Sequence, residues 1–168
     1  MFVLGIDPGL TRCGYAVIAP GRAGPRAVAL GVITTSTELA LPLRLAELQA
    51  EVRALMDEHP PTTVAVERVF FQHNVRTAMA VGQASGIVMA EAASRGCEVV
   101  QYTPNEVKLS VTGDGAADKE AVITMVQSQL GLARPPRPAD AADAAALALC
   151  HVAHARFLAA VASAGGSR

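Results

Sequence analysis

Two short apolar segments that each end in a carboxylate constrain the fold of this chain more than any other feature. Residues 2–7 form an apolar run that ends at Asp7, and a Pro8-Gly9 turn follows it. Residues 63–67 form a β-branched run that ends at Glu67. Both runs predict buried strands. Ligands in open α/β sheets bind outside the carboxyl ends of the strands, so the sequence predicts an acidic binding edge.

The remaining segments extend this pattern into an α/β fold. Segments 13–19 and 27–35 are rich in β-forming residues and predict an antiparallel meander with residues 2–7. The other predicted elements are a helix over 41–59, a strand over 63–67, a helix over 74–95, a strand over 98–102, a short helix over 103–113, a helix that ends at Gly131 and a last helix over 139–162. This order predicts a mixed five-stranded sheet flanked by helices.

Length and composition favour one globular domain. The chain has 168 residues, of which 51% are hydrophobic and 17% are charged, which excludes a disordered chain. We expect one domain over residues 1–162 and a flexible tail over 163–168. Charged and histidine side chains interrupt the most apolar segment, so no membrane span is expected. The first residues lack the basic stretch of a signal peptide, which favours the cytoplasm.

The three cysteines argue against a disulfide or zinc framework. Cys13, Cys97 and Cys150 are widely spaced and lie in apolar segments. An odd number of such residues favours reduced thiols in the core.

Two further acids join the strand-end carboxylates. Asp140 and Asp143 are three residues apart at the start of the last helix, so they share one helical face. Four carboxylates without histidine or thiol partners suit a hard cation such as Mg²⁺ or Mn²⁺, and together they predict a two-metal site. Each acid alone has a simpler explanation as a helix-start, strand-end or turn residue. Their common location at one edge favours the metal site.

Net charge does not decide which substrate the chain binds. The formal net charge is −1. Removing the four clustered acids from the 15 acidic residues leaves 11 against 14 basic residues. Bound cations would mask the cluster, so both a polyanion and a small molecule remain possible partners.

Several stretches carry a family resemblance. They are Gly-Ile-Asp-Pro-Gly-Leu-Thr-Arg-Cys-Gly-Tyr at 5–15, Val-Glu-Arg-Val-Phe-Phe at 66–71 followed by Asn74, Gly-Gln-Ala at 82–84, Val-Lys at 107–108, Lys119, and Ala-Asp-Ala-Ala-Asp-Ala at 139–144. In this order they resemble the bacterial RuvC-type Holliday-junction resolvases over nearly the whole chain. The resemblance implies a ribonuclease H-like fold and Mg²⁺-dependent endonucleolytic cleavage of four-way DNA junctions in recombination and repair. The implied products carry 5′-phosphate and 3′-hydroxyl ends.

The same resemblance implies the roles of individual residues. The catalytic and metal-binding acids are Asp7, Glu67, Asp140 and Asp143, which hold two Mg²⁺ ions per site with Mn²⁺ as a substitute. Lys108 and Lys119 coincide with the family's DNA-contacting lysines. The DNA-binding residues that we expect are these two with Phe70, Asn74 and Arg76, and the inferred topology also places Arg12, Arg68 and His73 near the cluster. We expect Phe70 to stack on an unpaired base. For each isolated basic residue, an ordinary solvated surface charge remains the alternative.

Two symmetric cuts in a junction call for two active sites. A C2 homodimer supplies them, and small residues spaced four apart on the 74–95 helix (Ala78, Gly82, Gly86 and Ala90) would allow close helix contact. These residues would equally allow the helix to pack on its own sheet. The resemblance also implies cooperation with the branch-migration motor complex of bacterial recombination.

Two other functions compete with this interpretation. The 5–11 stretch also resembles the first phosphate loop of actin-like ATPases and sugar kinases, which would make the chain a fragment of a phosphotransferase. The chain would otherwise be a catalytically silent junction-binding module. Ser85, Asp114 and Ala116 depart from the resolvase pattern toward less positive charge, which bears on phosphate binding rather than on the reaction.

Overall fold

A computed structural model describes residues 2–68 and 75–165. Its strands are β1 (Val3–Asp7), β2 (Arg12–Ala19), β3 (Arg26–Thr34), β4 (Thr63–Glu67) and β5 (Glu98–Tyr102). Its helices are α1 (Leu41–Glu58), α2 (Val75–Ser94), α3 (Pro104–Thr112), α4 (Lys119–Gln129) and α5 (Ala139–Gly165). The predicted elements and their order are confirmed, and α5 continues three residues past its predicted end.

The strands form one mixed sheet in the order β3-β2-β1-β4-β5. β1, β2 and β3 form an antiparallel meander, whereas β4 and β5 run parallel to β1. The α/β class and the mixed five-stranded sheet flanked by helices are therefore confirmed. Because β1 and β4 are parallel neighbours, Asp7 and Glu67 end at the same edge of the sheet.

Strand alternation divides the core into two layers. Val3 and Ala65 belong to a cluster with α3, α4 and α5, whereas Leu4 and Val64 belong to a cluster with α1 and α2. Side chains in a strand alternate between faces, so Asp7 shares the face of Val3 and Glu67 shares the face of Ala65. Both strand-end carboxylates therefore lie on the side of the sheet that α5 covers.

Two glycines allow α5 to approach the sheet closely. A Cβ on Gly5 would collide with the backbone carbonyl oxygen of Ala144, and one on Gly14 would collide with that of Asp140. The facing segment of α5 is rich in buried alanines, whose small side chains leave room for this close approach. These contacts fix the first turns of α5 over the ends of β1 and β2.

The apolar character of α5 is explained by this packing. The segment Ala139–Ser163 is long and apolar enough to cross a membrane by length and composition alone. Half of its most apolar 18-residue stretch is buried, and α5 packs on β1 and β2. This helix is the central core helix of the α/β fold.

The cysteines behave as expected for reduced thiols. Cys13 and Cys150 are buried, Cys97 is half-buried, and all three are free. Burial raises the pKa of Cys13 to about 12, so this thiol stays protonated at neutral pH.

Candidate active site

Three of the four predicted acids line one cavity. The cavity measures about 320 Å³ and lies at the carboxyl ends of β1 and β4. Its lining residues are the acids Asp7, Glu67 and Asp143, the lysines Lys108 and Lys119, and Pro104, Val107, Val122, Ala146 and Leu147. The structure thus brings acidic and basic side chains to the edge that the strand ends predict.

Local helix signals place the two lysines. A capping box between Thr103 and Glu106 starts α3, which carries Lys108, and this confirms the predicted helix start. The side chain of Asp118 accepts a hydrogen bond of 2.8 Å from the backbone N–H of Ala121 and so caps α4. Lys119 is therefore the first residue of α4 and faces the start of α5.

Each acid of α5 is bonded to one cation. The Nε and Nη2 atoms of Arg12 donate to Oδ2 of Asp140 at 3.1 and 2.6 Å. The Nζ atom of Lys119 donates to Oδ2 of Asp143 at 2.7 Å. Asp140 does not line the cavity, but its charge acts on Asp7.

The strand-end acids are short of positive charge. Burial, followed by the negative charges of the other three acids, raises the pKa of Asp7 from its ordinary 3.8 to about 7. Burial and then the charge of Asp143 also raise the pKa of Glu67. On α5, by contrast, the hydrogen bonds from Arg12 lower the pKa of Asp140. The inner part of the site therefore favours an added cation or a bound proton.

The donor set fits a hard divalent cation. All four acids offer carboxylate oxygens, which Mg²⁺ and Mn²⁺ prefer. Within residues 2–68 and 75–165, however, no three Asp, Glu, His or Cys side chains converge closely enough to hold one ion. The two acids of α5 are instead bonded to Arg12 and Lys119. Each of these two carboxylates is bonded to its cation through Oδ2. A metal that used the same oxygens would displace Arg12 and Lys119.

The predicted DNA-binding residues divide into two groups. Lys108 and Lys119 line the acidic cavity. Phe70 and Asn74, with His73, lie outside the described residues, and so does the side chain of Arg76, although its backbone belongs to α2.

The basic residues outside the cavity also have known positions. The side chain of Arg12 is bonded to Asp140. Arg68 is exposed directly after β4, and its backbone N–H donates to the carbonyl oxygen of Tyr102 at 2.8 Å.

The departures from the resolvase pattern lie in two different environments. Ser85 is buried in α2, and its Oγ has no hydrogen-bond partner among the residues described. This departure therefore lies inside the fold. Asp114 accepts a hydrogen bond of 2.8 Å from the N–H of Ala116 and so stabilises its own loop.

Two residues that shape the site were not identified from the sequence. Gly14 lies opposite Asp7 in the sheet and admits the backbone of Asp140. A glycine inside a strand pattern is a signal for such a close approach. Asp118 was also missed, although an acid directly before a helix is a common N-cap.

Comparisons with known proteins agree with this geometry. Residues 3–151 match the family model "Crossover junction endodeoxyribonuclease RuvC". A protein of that name from Salinispora arenicola is 55% identical over 154 residues, which cover 90% of this chain and 87% of the relative. One from Rhodococcus opacus is 53% identical and covers 90% of this chain and 80% of the relative.

Solved structures show the same relationship. The structure of Thermus thermophilus RuvC has a TM-score of 0.86 at 39% identity and covers 94% of this chain and 96% of that one. The complex of that protein with a Holliday junction substrate has a TM-score of 0.85 at 37% identity, with the same coverage. The yeast mitochondrial resolvase Ydc2 shares the fold, with a TM-score of 0.71 at 17% identity over 94% of this chain and 80% of that one. The chain therefore belongs to the RuvC family of crossover junction endodeoxyribonucleases.

Proposed function

We propose that this protein resolves four-way DNA junctions by metal-dependent hydrolysis of phosphodiester bonds. The observation that carries the proposal is the cavity where Asp7, Glu67 and Asp143 meet Lys108 and Lys119. The likeness to a RuvC protein in complex with a Holliday junction substrate supports a junction as the DNA.

The four acids act as the metal-binding group. Asp7 lies on a central strand whose neighbours on both sides fix its backbone, so it is the best placed to serve two ions. Glu67 binds from β4, and Asp140 and Asp143 bind from α5 once they leave their cations. When held by these acids, two Mg²⁺ ions, or Mn²⁺ in their place, would supply an activated water and neutralise the attacking and leaving oxygens.

Basic and aromatic residues bind the DNA in this proposal. Lys108 and Lys119 project into the cavity and neutralise backbone phosphates. Phe70, Asn74 and Arg76 follow the catalytic Glu67 in the chain. In this proposal Phe70 stacks on an unpaired base at the junction centre, while Asn74 and Arg76 contact the backbone.

The protein acts as a C2 homodimer, because two symmetric nicks need two active sites. The sheet-facing side of α2 consists of Ala84, Val88 and Ala92, which are fully buried. A Cβ on Gly82 or Gly86 would meet nothing within 4 Å in the part of the protomer that the structure describes. The small-residue stripe of α2 therefore faces away from its own sheet, which favours contact with a second copy.

Family membership also supports a cellular setting. In this proposal the dimer works in the cytoplasm with the branch-migration motor complex of bacterial recombination. The motor moves the junction along the DNA, and the dimer cuts it where the DNA strands fit the active site.

Cleavage of a labelled four-way junction tests the proposed function. With Mg²⁺ we expect paired nicks at symmetric positions and products that a ligase reseals, because the ends are 5′-phosphate and 3′-hydroxyl. EDTA should abolish cleavage, and a linear duplex of the same sequence should stay intact. Binding without cleavage in Mg²⁺ or Mn²⁺ would contradict the proposal and support a silent binding module.

A further inference from the structure

Arg12 donates two hydrogen bonds to Asp140, one of the four acids. It is the first residue of β2 and shares the sheet face of Gly14, so its side chain extends toward the first turn of α5. Both of its donated hydrogen bonds fall on a single oxygen, Oδ2 of Asp140. This pair joins residues that are 128 positions apart in the chain.

The pair lies where solvent and substrate reach it. The side chain of Arg12 is 47% exposed and that of Asp140 is 29% exposed. Ion pairs with this exposure contribute little to folding stability, so the bond is easily exchanged for another partner. The backbone of β2 is already held by its pairing with β1 and β3. The fold therefore does not depend on the Arg12 side chain.

We propose that Arg12 is an internal counter-ion for Asp140 that a divalent metal displaces and that then binds a phosphate of the DNA backbone. This inference rests on the proposed metal-dependent function. It explains why Asp140 stands apart from the cavity that the other three acids line, since its Oδ2 is already bonded to Arg12.

Charge and geometry support both halves of the exchange. A divalent cation shared by several carboxylates carries more charge than a single guanidinium, so it competes successfully for Asp140. The released guanidinium is planar and always charged, and its fork matches two oxygens of a phosphate. Metal binding and DNA binding are thereby coupled through one side chain.

Mn²⁺ binding to the free protein tests the first half, because it needs no activity. Without Arg12 the metal competes with no cation at Asp140, so Arg12→Gln should bind Mn²⁺ about three- to fivefold more tightly than the parent. Arg12→Lys keeps the charge and should stay near the parent value. Free Mn²⁺ is measured by its electron paramagnetic resonance signal during titration.

Arg44 provides the matched control. Its Nη2 and Nε atoms donate to the hydroxyls of Thr11 and Thr35, next to Arg12, rather than to a carboxylate. Arg44→Gln removes the same charge from the same region and should leave Mn²⁺ affinity at the parent value. An unchanged or weaker affinity in Arg12→Gln, or an equal gain in Arg44→Gln, would overturn the counter-ion role.

Junction binding in Ca²⁺ tests the second half. Arg12→Gln should lower the slope of log affinity against log salt by about one phosphate contact, whereas Arg44→Gln should not. An unchanged slope would overturn the transfer to DNA. If the parent neither binds Mn²⁺ nor cleaves a junction, the proposed function itself fails. If the parent does both, and Arg12→Gln has the same Mn²⁺ affinity and the same salt slope as the parent, only the role of Arg12 is refuted.

Discussion

Asp7 is the residue at which burial and like charge act together. Its pKa of about 7 in the fold exceeds the ordinary 3.8, so the fold favours the protonated carboxyl. This stabilisation is fully present below about pH 4 and is lost as the pH rises through about 7. In EDTA, Asp7→Asn should therefore melt above the parent at pH 8, by about 2–4 °C for each kcal/mol of relieved repulsion.

The pH dependence of the difference in melting temperature between Asp7→Asn and the parent reports on Asp7 itself. Other acids shift the opposite way, since the Arg53 and Gln49 hydrogen bonds lower the pKa of Glu91. Comparing the two proteins at each pH cancels those contributions. Scanning calorimetry should show a larger difference in melting temperature between Asp7→Asn and the parent at pH 8 than at pH 5. An equal difference at both pH values would contradict the raised pKa.

Lys119 is the residue for which we propose a role at both the acids and the DNA. It is bonded to Asp143 and lines the cavity. Lys119→Ala should weaken junction binding and lower the salt slope by about one phosphate contact. Arg156→Ala is the control, because Arg156 donates to the carbonyl oxygen of Gly21 instead. Equal slopes in gel-shift titrations of Lys119→Ala and the parent would make Lys119 an ordinary surface charge.

At the scale of elements, the docking of α5 on the sheet builds the site. Gly14→Ala places a methyl group against the carbonyl oxygen of Asp140, so α5 must shift outward. We expect a loss of about 1–3 kcal/mol in unfolding free energy, together with a loss of junction cleavage. Gly115→Ala is the control, since its nearest contact is an ordinary 3.7 Å. Urea unfolding of both variants checks this, and a stable, active Gly14→Ala would refute the docking argument.

The elements themselves were predictable because their signals are local. The capping box at Thr103 and the carboxylates that end β1 and β4 each follow from a few neighbouring residues. The bonds from Arg12 to Asp140 and from Lys119 to Asp143 were not predicted. They join residues 128 and 24 positions apart, and they form only because α5 lies over β2 and beside α4.

At the scale of the whole molecule, the stripe on α2 predicts how two copies meet. Gly82→Leu adds a large side chain at a position that is open among the residues the structure describes. It should leave the protomer folded and shift the protein from dimer to monomer in analytical ultracentrifugation. Ala160→Leu, on the exposed end of α5 across the sheet, should remain dimeric. A dimeric Gly82→Leu would place the interface elsewhere.

The central claim is that the carboxylate cluster around Asp7 cuts the junction with bound metal and is not needed to hold the DNA. The direct measurement is cleavage and gel shift of one labelled junction by one preparation of Asp7→Asn, beside the parent, in Mg²⁺. We expect no detectable cleavage, with junction binding equal to or tighter than that of the parent, since one charge that repels phosphate is gone. Cleavage at a rate near that of the parent would contradict the assignment of the active site.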